Sequence, residues 1–168
     1  MAHEIKVRPI DPADWQSYKN LRLGALADAP DAFGSTLARE QERTDSQWAS
    51  RLEKGHNRCW NLPLLAEVDG QTAGLAWGRI EKEKPGRADL YQMWVTPGFR
   101  KLGVGRMLLD AVILWAKEQE VEFLQLGVTL RDSPAMRLYK RAGFEPAGEP
   151  KPLRPGSELM AQPMRLKL

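Results

Sequence analysis

Residue types that carry metal, redox and disulfide chemistry are nearly missing from this chain. Its 168 residues include one cysteine, Cys59, and two histidines, His3 and His56. A single cysteine excludes an internal disulfide and makes the cytoplasm the expected compartment. The two histidines stand far apart in sequence, so neither has the neighbours of a metal site, and no metal is expected. No stretch approaches the roughly 18 uninterrupted apolar residues of a membrane span, and Met1-Ala2-His3-Glu4 lacks the basic-then-apolar order of a leader. Repeats, low-complexity tracts and long linkers are missing too. So is a dominant charge: 25 Lys and Arg against 22 Asp and Glu leave a net +3. That is too diffuse for a nucleic-acid stripe, although a sequence pI of about 9.1 favours an anionic ligand. Neither a nucleic-acid nor a membrane partner is expected.

Hydrophobic residues make up 42% of the chain and charged residues 28%, enough for a core without staples under an ordinary solvated surface. Residues 1–168 are therefore expected to form a single domain. Ile5 and Val7 alternate into a short strand, and Asp11-Pro12 opens a helix through Trp15, Tyr18 and Leu21 to about Leu26. After the loop Ala29–Thr36, a helix is expected from about Asp45 to Lys54, closed by Gly55. Leu62 to Val68 and Thr72 to Ile80 read as antiparallel strands joined at Asp69-Gly70. A further strand runs from Asp89 to Val95. Val104, Met107, Leu108, Ala111, Val112 and Trp115 then fall at helical spacing. Glu122 to Val128 reads as a strand, and Ser133-Pro134 caps a helix ending at Gly143. Phe144 and about Leu159 to Leu166 supply the last strands. The order β-α-α-β-β-β-α-β-α-β-β predicts a mixed α/β sheet of about seven strands, flanked by about four helices. The strands at 89–95 and 122–128 are expected to run parallel across a helical crossover.

The chemistry concentrates in Val95-Thr96-Pro97-Gly98-Phe99-Arg100-Lys101-Leu102-Gly103-Val104-Gly105-Arg106, between a strand and an apolar helix. Glycines 103 and 105 remove side chains where the backbone turns, so several N–H groups can converge on one anion at the positive end of the helix dipole. Arg100, Lys101 and Arg106 bring cations suited to phosphate oxygens. Pro97 cannot donate to a ladder, so pairing should fail as the chain leaves the strand. By itself a Gly-x-Gly also fits a plain tight loop, and three basic residues also fit a solvated face. A P-loop requires Gly-Lys-Ser/Thr, but Arg106-Met107 follow Gly105; a Rossmann fingerprint requires a small residue where Leu108 stands.

Two ordered motifs carry a resemblance. Arg100-x-x-Gly103-x-Gly105 matches the acyl-CoA motif Arg/Gln-x-x-Gly-x-Gly/Ala, and Ala135-Met136-Arg137-Leu138-Tyr139-Lys140-Arg141-Ala142-Gly143-Phe144 is similar to the signature A-x-x-L-Y-x-x-x-G-F. On these motifs the chain resembles the GNAT superfamily of acetyl-CoA-dependent N-acetyltransferases, closely over residues 88–145. Over 5–80 the likeness is looser, in the order of elements and in Trp15, Leu21-Arg22 and Phe33-Gly34-Ser35. The resemblance implies the GNAT acyl-CoA N-acyltransferase fold and acetyl transfer from acetyl-CoA, as co-substrate, to a primary amine by direct attack.

The resemblance also assigns roles. It implies that the pantetheine arm lies between splayed strands and pairs with backbone groups around Trp94 and Val95. It places Arg100, Lys101, Leu102, Gly103, Val104, Gly105 and Arg106 around the pyrophosphate. Tyr139 falls at the family's general-acid position, protonating the departing thiolate; a half-buried packing role beside Ala135 and Leu138 is the plainer alternative. Asp89 matches a site where several members place a glutamate base, although loop capping fits it equally. Glu40, Glu42 or a water chain are further candidates for the base. Asp132 stands where many relatives carry an asparagine on the pantetheine arm; it keeps an acceptor and loses a donor, and helix capping beside Ser133 is the simpler role.

The acceptor implied is a small-molecule amine or a protein N-terminus or lysine, and a homodimer is compatible with the family. A non-catalytic acyl-CoA-binding sensor of the same fold is the alternative from another class. Cys59 has no adjacent base to make it a nucleophile. Trp15, Trp48, Trp60, Trp77, Trp94 and Trp115 read mostly as packing residues, with Trp60 or Trp77 as candidates for lining the acceptor pocket.

Overall fold

The structure, a computed structural model, describes residues 2–168. Strands β1 (Ile5–Pro9), β2 (Asn61–Val68), β3 (Gln71–Ile80), β4 (Arg87–Val95), β5 (Phe123–Thr129), β6 (Glu145–Pro146), β7 (Lys151–Pro152) and β8 (Met160–Lys167) form one sheet. Its order is β1-β2-β3-β4-β5-β8-β6, with β7 on β8. The helices are α1 (Trp15–Asp28), α2 (Leu37–Gln41), α3 (Asp45–Lys54), α4 (Val104–Glu118) and α5 (Pro134–Arg141). This mixed α/β architecture is the one expected, with strands β4 and β5 parallel and every other neighbouring pair antiparallel. Helix α2 was not expected. Its sequence is short and polar, but Thr36 caps it by accepting from the Arg39 N–H. The expected strand at Phe144 begins one residue later, and Phe144 is buried.

The two faces of the sheet carry separate cores. On one face α4 contributes Val104, Leu108, Leu109, Val112, Trp115 and Ala116, joined by Met136 and Tyr139 of α5 and by Ala88, Leu90, Leu124 and Leu126. Each such Val, Leu or Met side chain contributes about 1.5–3 kcal/mol when fully buried. Helix α4 lies close on β3 because two strand positions lack side chains. A Cβ at Gly78 would come within 2.8 Å of the Trp115 ring, and one at Gly74 within 3.1 Å of Leu108 Cδ1. On the opposite face Tyr18, Leu21, Ala25 and Leu26 of α1 pack with Trp48 and Leu52 of α3 against Leu65, Leu75, Trp77 and Trp94.

The β4–β5 seam positions the site. These strands are in register only at Arg87–Phe123, Ala88–Leu124 and Asp89–Gln125. Beyond Asp89 they separate, and each turns to a different partner: β4 to β3 and β5 to β8. The separation coincides with an irregularity in β4. The β3–β4 register shifts between Leu75 and Trp77, and Gln92 takes the left-handed conformation with φ 57°. A bulge of this kind bends its strand and increases its twist.

Candidate active site

A gap between diverging parallel strands leaves backbone groups without a ladder partner. Thr96 N–H donates to the Ala73 carbonyl on the β3 side (2.8 Å). Because successive peptide groups of a strand face opposite edges, the Val95 N–H and carbonyl turn into the gap. The Val95 carbonyl accepts from Arg100 Nε at 3.0 Å, consistent with that orientation.

At the mouth of the gap the chain passes through a 3₁₀ turn (Pro97–Phe99) into α4. Lys101 and Gly103 both have positive φ, 66° and 90°. Gly103 is the N-cap of α4 and offers no side chain to cap it. Among the described residues, no N–H from 101 to 106 donates a hydrogen bond within the protein. A run of free N–H groups at the start of a 15-residue helix has the geometry and the dipole that suit an anion. A Cβ on Gly103 would meet open space, whereas one on Gly105 would touch Leu138 and Val95 at ordinary distances of 3.5 and 3.7 Å.

The expected cations divide into two kinds. Lys101 is exposed beside the N–H cluster, and Arg106 pairs across one helical turn with Asp110 (2.9 Å). Arg100 differs from the phosphate-facing cation expected of it. Besides the Val95 carbonyl, it holds Asp28 at the end of α1 (2.6 Å). The Trp94 indole donates to the same carboxylate oxygen at 3.0 Å. That hydrogen bond and Arg100 keep the Asp28 carboxyl below its ordinary range. Asp132 is exposed and paired with Arg137 (2.6 Å). The N-cap of α5 is Ser133, which accepts from the Met136 N–H.

Tyr139 and Asp89 lie on opposite faces of the sheet. Tyr139 is 5% exposed and belongs to the α4–α5 core, with its ring 5.8 Å from Phe144. Burial pushes its phenol well above the ordinary value, and its hydroxyl has no hydrogen-bond partner among the described residues. Asp89 is 4% exposed. Alternation with Ala88 and Leu90, which enter the α4 core, turns it toward the α1 face. Arg87 takes its Oδ1 through Nε (3.0 Å) and Nη2 (2.8 Å). Its Oδ2 accepts from no described residue.

The α1 face of the gap holds Glu40, a candidate base, together with Tyr18, Gln92 and Arg22, to which the sequence assigned no catalytic role. The Tyr18 hydroxyl donates to Gln92 Oε1 in the bulge (2.9 Å). Glu40 is 3% exposed and accepts from Ser35 (3.0 Å), Arg43 (2.5 Å) and Arg51 (3.2 Å). Burial raises its carboxyl, but the two arginines and the hydroxyl outweigh that and hold it below the ordinary range. An already ionised, triply held carboxylate is a poor base, and Glu42 is exposed at the end of α2. Arg22 is 5% exposed with its Nε and Nη1 unpaired. A signal for Arg22 existed: Tyr18, Leu21, Arg22 and Ala25 share one helical face, so a charge stands among residues patterned for the core. Nothing in the sequence marks Gln92. Of the six tryptophans, Trp48, Trp77, Trp94 and Trp115 are buried, and Cys59 is exposed.

No group of three or more His, Cys, Asp or Glu among the described residues is placed to hold a metal, and no helix is long and apolar enough to cross a membrane.

Residues 24–144 match the acetyltransferase (GNAT) family. A mycothiol acetyltransferase of Propionibacterium freudenreichii subsp. shermanii is 39% identical over 107 residues, covering 58% of this chain and 34% of that protein. One from Acidothermus cellulolyticus is 26% identical over 155 residues, covering 84% of this chain and 45% of its own. The chain thus spans between about a third and about half of these relatives. Among solved structures, the GNAT-family acetyltransferase of Streptococcus pneumoniae superposes with a TM-score of 0.79 at 22% identity, over 98% of this chain and all of the other. The yncA protein of Salmonella typhimurium, solved with its cofactor acetyl-CoA, gives 0.80 at 19% identity, over 98% and 94%. These two likenesses concern the fold.

Proposed function

The chain belongs to the GNAT family of acetyltransferases, and from that premise we propose that it moves the acetyl group of acetyl-CoA to a primary amine within one domain, residues 1–168. The observation that carries this is the alignment of two features: the β4–β5 gap and the unpartnered N–H run at its mouth. The gap fits an extended pantetheine arm against Val95. The N–H groups of 101–106 fit the pyrophosphate, with Lys101 and Arg106 nearby. Arg100 serves from the mouth of the gap, fixing the Val95 carbonyl and so the edge that Val95 presents. Trp94 contributes through its backbone and through the indole bond to Asp28. Asp132, tied to Arg137, stands at the start of α5 beside this path.

In the proposed reaction the amine nitrogen attacks the thioester carbonyl, forming a C–N bond and an oxyanion. The Val95 N–H is the donor aimed at that oxygen; a donor of this kind is typically worth ~10²–10³ in rate. The C–S bond then breaks, the thiolate takes a proton, and the nitrogen loses one. Opposite faces suit opposite proton transfers. Tyr139, on the α4 side, donates to sulfur, and its raised pKa keeps the phenol protonated. Asp89, on the α1 side, receives the proton from the nitrogen through water at its free Oδ2.

The test is calorimetric binding of acetyl-CoA combined with CoA thiol release across an amine panel. Binding with acceptor-dependent release is expected. Binding without release for any amine would favour the sensor reading, and no binding would reject both.

A further inference from the structure

We propose that Arg22 receives a carboxylate carried by the acceptor, so that the substrates are amino acids or similar small amines bearing a carboxylate. This rests on the acetyl-transfer reading above. A guanidinium presents its donors in a planar fork and keeps its charge at any pH a protein survives. Buried, it carries a heavy desolvation penalty unless those donors find acceptors. Arg22 is 5% exposed, and neither its Nε nor its Nη1 has a partner. Glu40, the nearby carboxylate, does not relieve it, because its oxygens go to Ser35, Arg43 and Arg51. Three arginines therefore surround one carboxylate, and the inmost of them is unpaired.

The position of Arg22 points to the acceptor. Tyr18, one turn earlier on α1, is bonded to Gln92 in the β4 bulge. Arg22 itself lies over the Phe33 ring, 4.8 Å from its centroid. The loop of Phe33 is tied to the far end of β5, where Thr129 Oγ1 donates to the Asp31 carbonyl (2.5 Å), and Arg154 donates to the Phe33 carbonyl (2.6 Å). The guanidinium thus sits between the bulge of one diverging strand and a loop anchored to the other. It is on the α1 face, where Asp89 also turns. A carboxylate matches the fork in a bidentate pair, and Phe33 shields that pair from water. An acceptor held there by its carboxylate directs its amine into the gap.

The test compares kcat/KM for α-, β- and γ-amino acids with their carboxamides, in the wild type, in Arg22→Met and in Arg22→Lys. O-phosphoethanolamine serves as a phosphate-bearing control. The wild type is expected to prefer the acid over its amide by ~10² or more, because a site built around a buried polar group rejects the analogue that leaves it unpaired. Arg22→Met should remove that preference by lowering the rate with the acid ~10²-fold, mostly through KM. The amide should stay within about threefold, and acetyl-CoA affinity should not change. Arg22→Lys, which keeps charge without the fork, should retain part of the preference. Met also removes an unpaired charge while still covering Phe33, so its melting temperature should equal or exceed that of the wild type. Equal rates for acid and amide, equal losses for both in Arg22→Met, a lowered melting temperature, or turnover of only the phosphate-bearing or uncharged amines would each overturn the assignment. So would acetyl-CoA binding with no carboxylate acceptor turned over. Failure to bind acetyl-CoA at all would instead reject the acetyl-transfer reading itself.

Discussion

The two mouths of the β4–β5 gap are built from different materials. On the α4–α5 side the groups offered to a ligand are backbone: the N–H run of 101–106, the Val95 edge and a glycine with φ 90°. On the α1–α3 side they are long side chains: Arg22 of α1, unpaired, and Glu40 of α2, which holds Arg51 of α3 and Arg43 of the turn between α2 and α3. Backbone donors at a helix start are fixed by a few consecutive residues and recognise a group common to many ligands, an anionic phosphate. Side chains gathered from distant helices are specific to one arrangement. The contrast suggests that one side provides the chemistry shared by the family and the other chooses the acceptor.

The sharpest way to break this comparison is Tyr139→Phe, on the backbone-built side. It keeps the ring against Phe144 and removes only the acidic proton. Turnover should fall by ~10²–10⁴, the range of a positioned general acid, with acetyl-CoA affinity and melting temperature unchanged. Because burial raises the phenol, it should remain protonated to well above about pH 10, so no alkaline loss of kcat below that pH should come from Tyr139. Wild-type rates in a folded variant would reduce Tyr139 to a core residue.

Glu40→Gln tests the side-chain-built mouth. Removing the anion leaves Arg43 and Arg51 facing a neutral amide, and breaking a buried pair of this kind is expected to destabilise by about 2–4 kcal/mol. The sign with pH follows from the lowered carboxyl. The contribution of Glu40 is complete above its unfolded value of about 4.3 and is lost as pH falls through the lower folded value. Denaturant melts of both proteins should therefore differ most near neutrality and converge in acid. A constant difference across pH would show that the ionised carboxylate is not what stabilises.

Smaller effects separate the two glycines. Gly103→Val forces a side chain into the left-handed region and into the open space over the N–H run, so acetyl-CoA affinity should fall ~10-fold or more. Gly105→Ala meets only ordinary contacts and should stay within about twofold. Equal losses in isothermal titration would mean that the anion site is not centred on Gly103. The smallest effect is expected for Arg106→Ala. Its charge is exposed and shared with Asp110, so the loss should be ~0.5–1 kcal/mol and shrink with added salt.

The seam and the glycine turn before α4 were legible in the sequence because their causes are local. A strand ending at Val95, Pro97 at its exit, two glycines and a helical repeat beginning at Val104 dictate a strand–loop–helix with free N–H groups at its turn. Ser133-Pro134 and the spacing from Ala135 to Phe144 did the same for α5 and placed Tyr139 on its buried face. Arg100 shows where that legibility stops. Its charge and position in the motif suggested a phosphate ligand, but its partner, Asp28, lies at the end of α1, and that pairing depends on how α1 crosses β4.

What the sequence determined by itself is the order of the elements other than α2 and β7, the apolar faces of α1 and α4, and the glycine turn before α4, since each follows from periodicity, capping or missing side chains within a few residues. Only the tertiary structure decided that Asp89 and Tyr139 face opposite sides of the gap, that Gln92 bulges β4, and that Glu40 is held by Arg43 and Arg51 while Arg22 goes unpaired. Strand register and helix crossing set those relations. Both are fixed by long-range packing, such as that of Tyr18 against Trp48 and Trp77, which no local pattern of residues specifies.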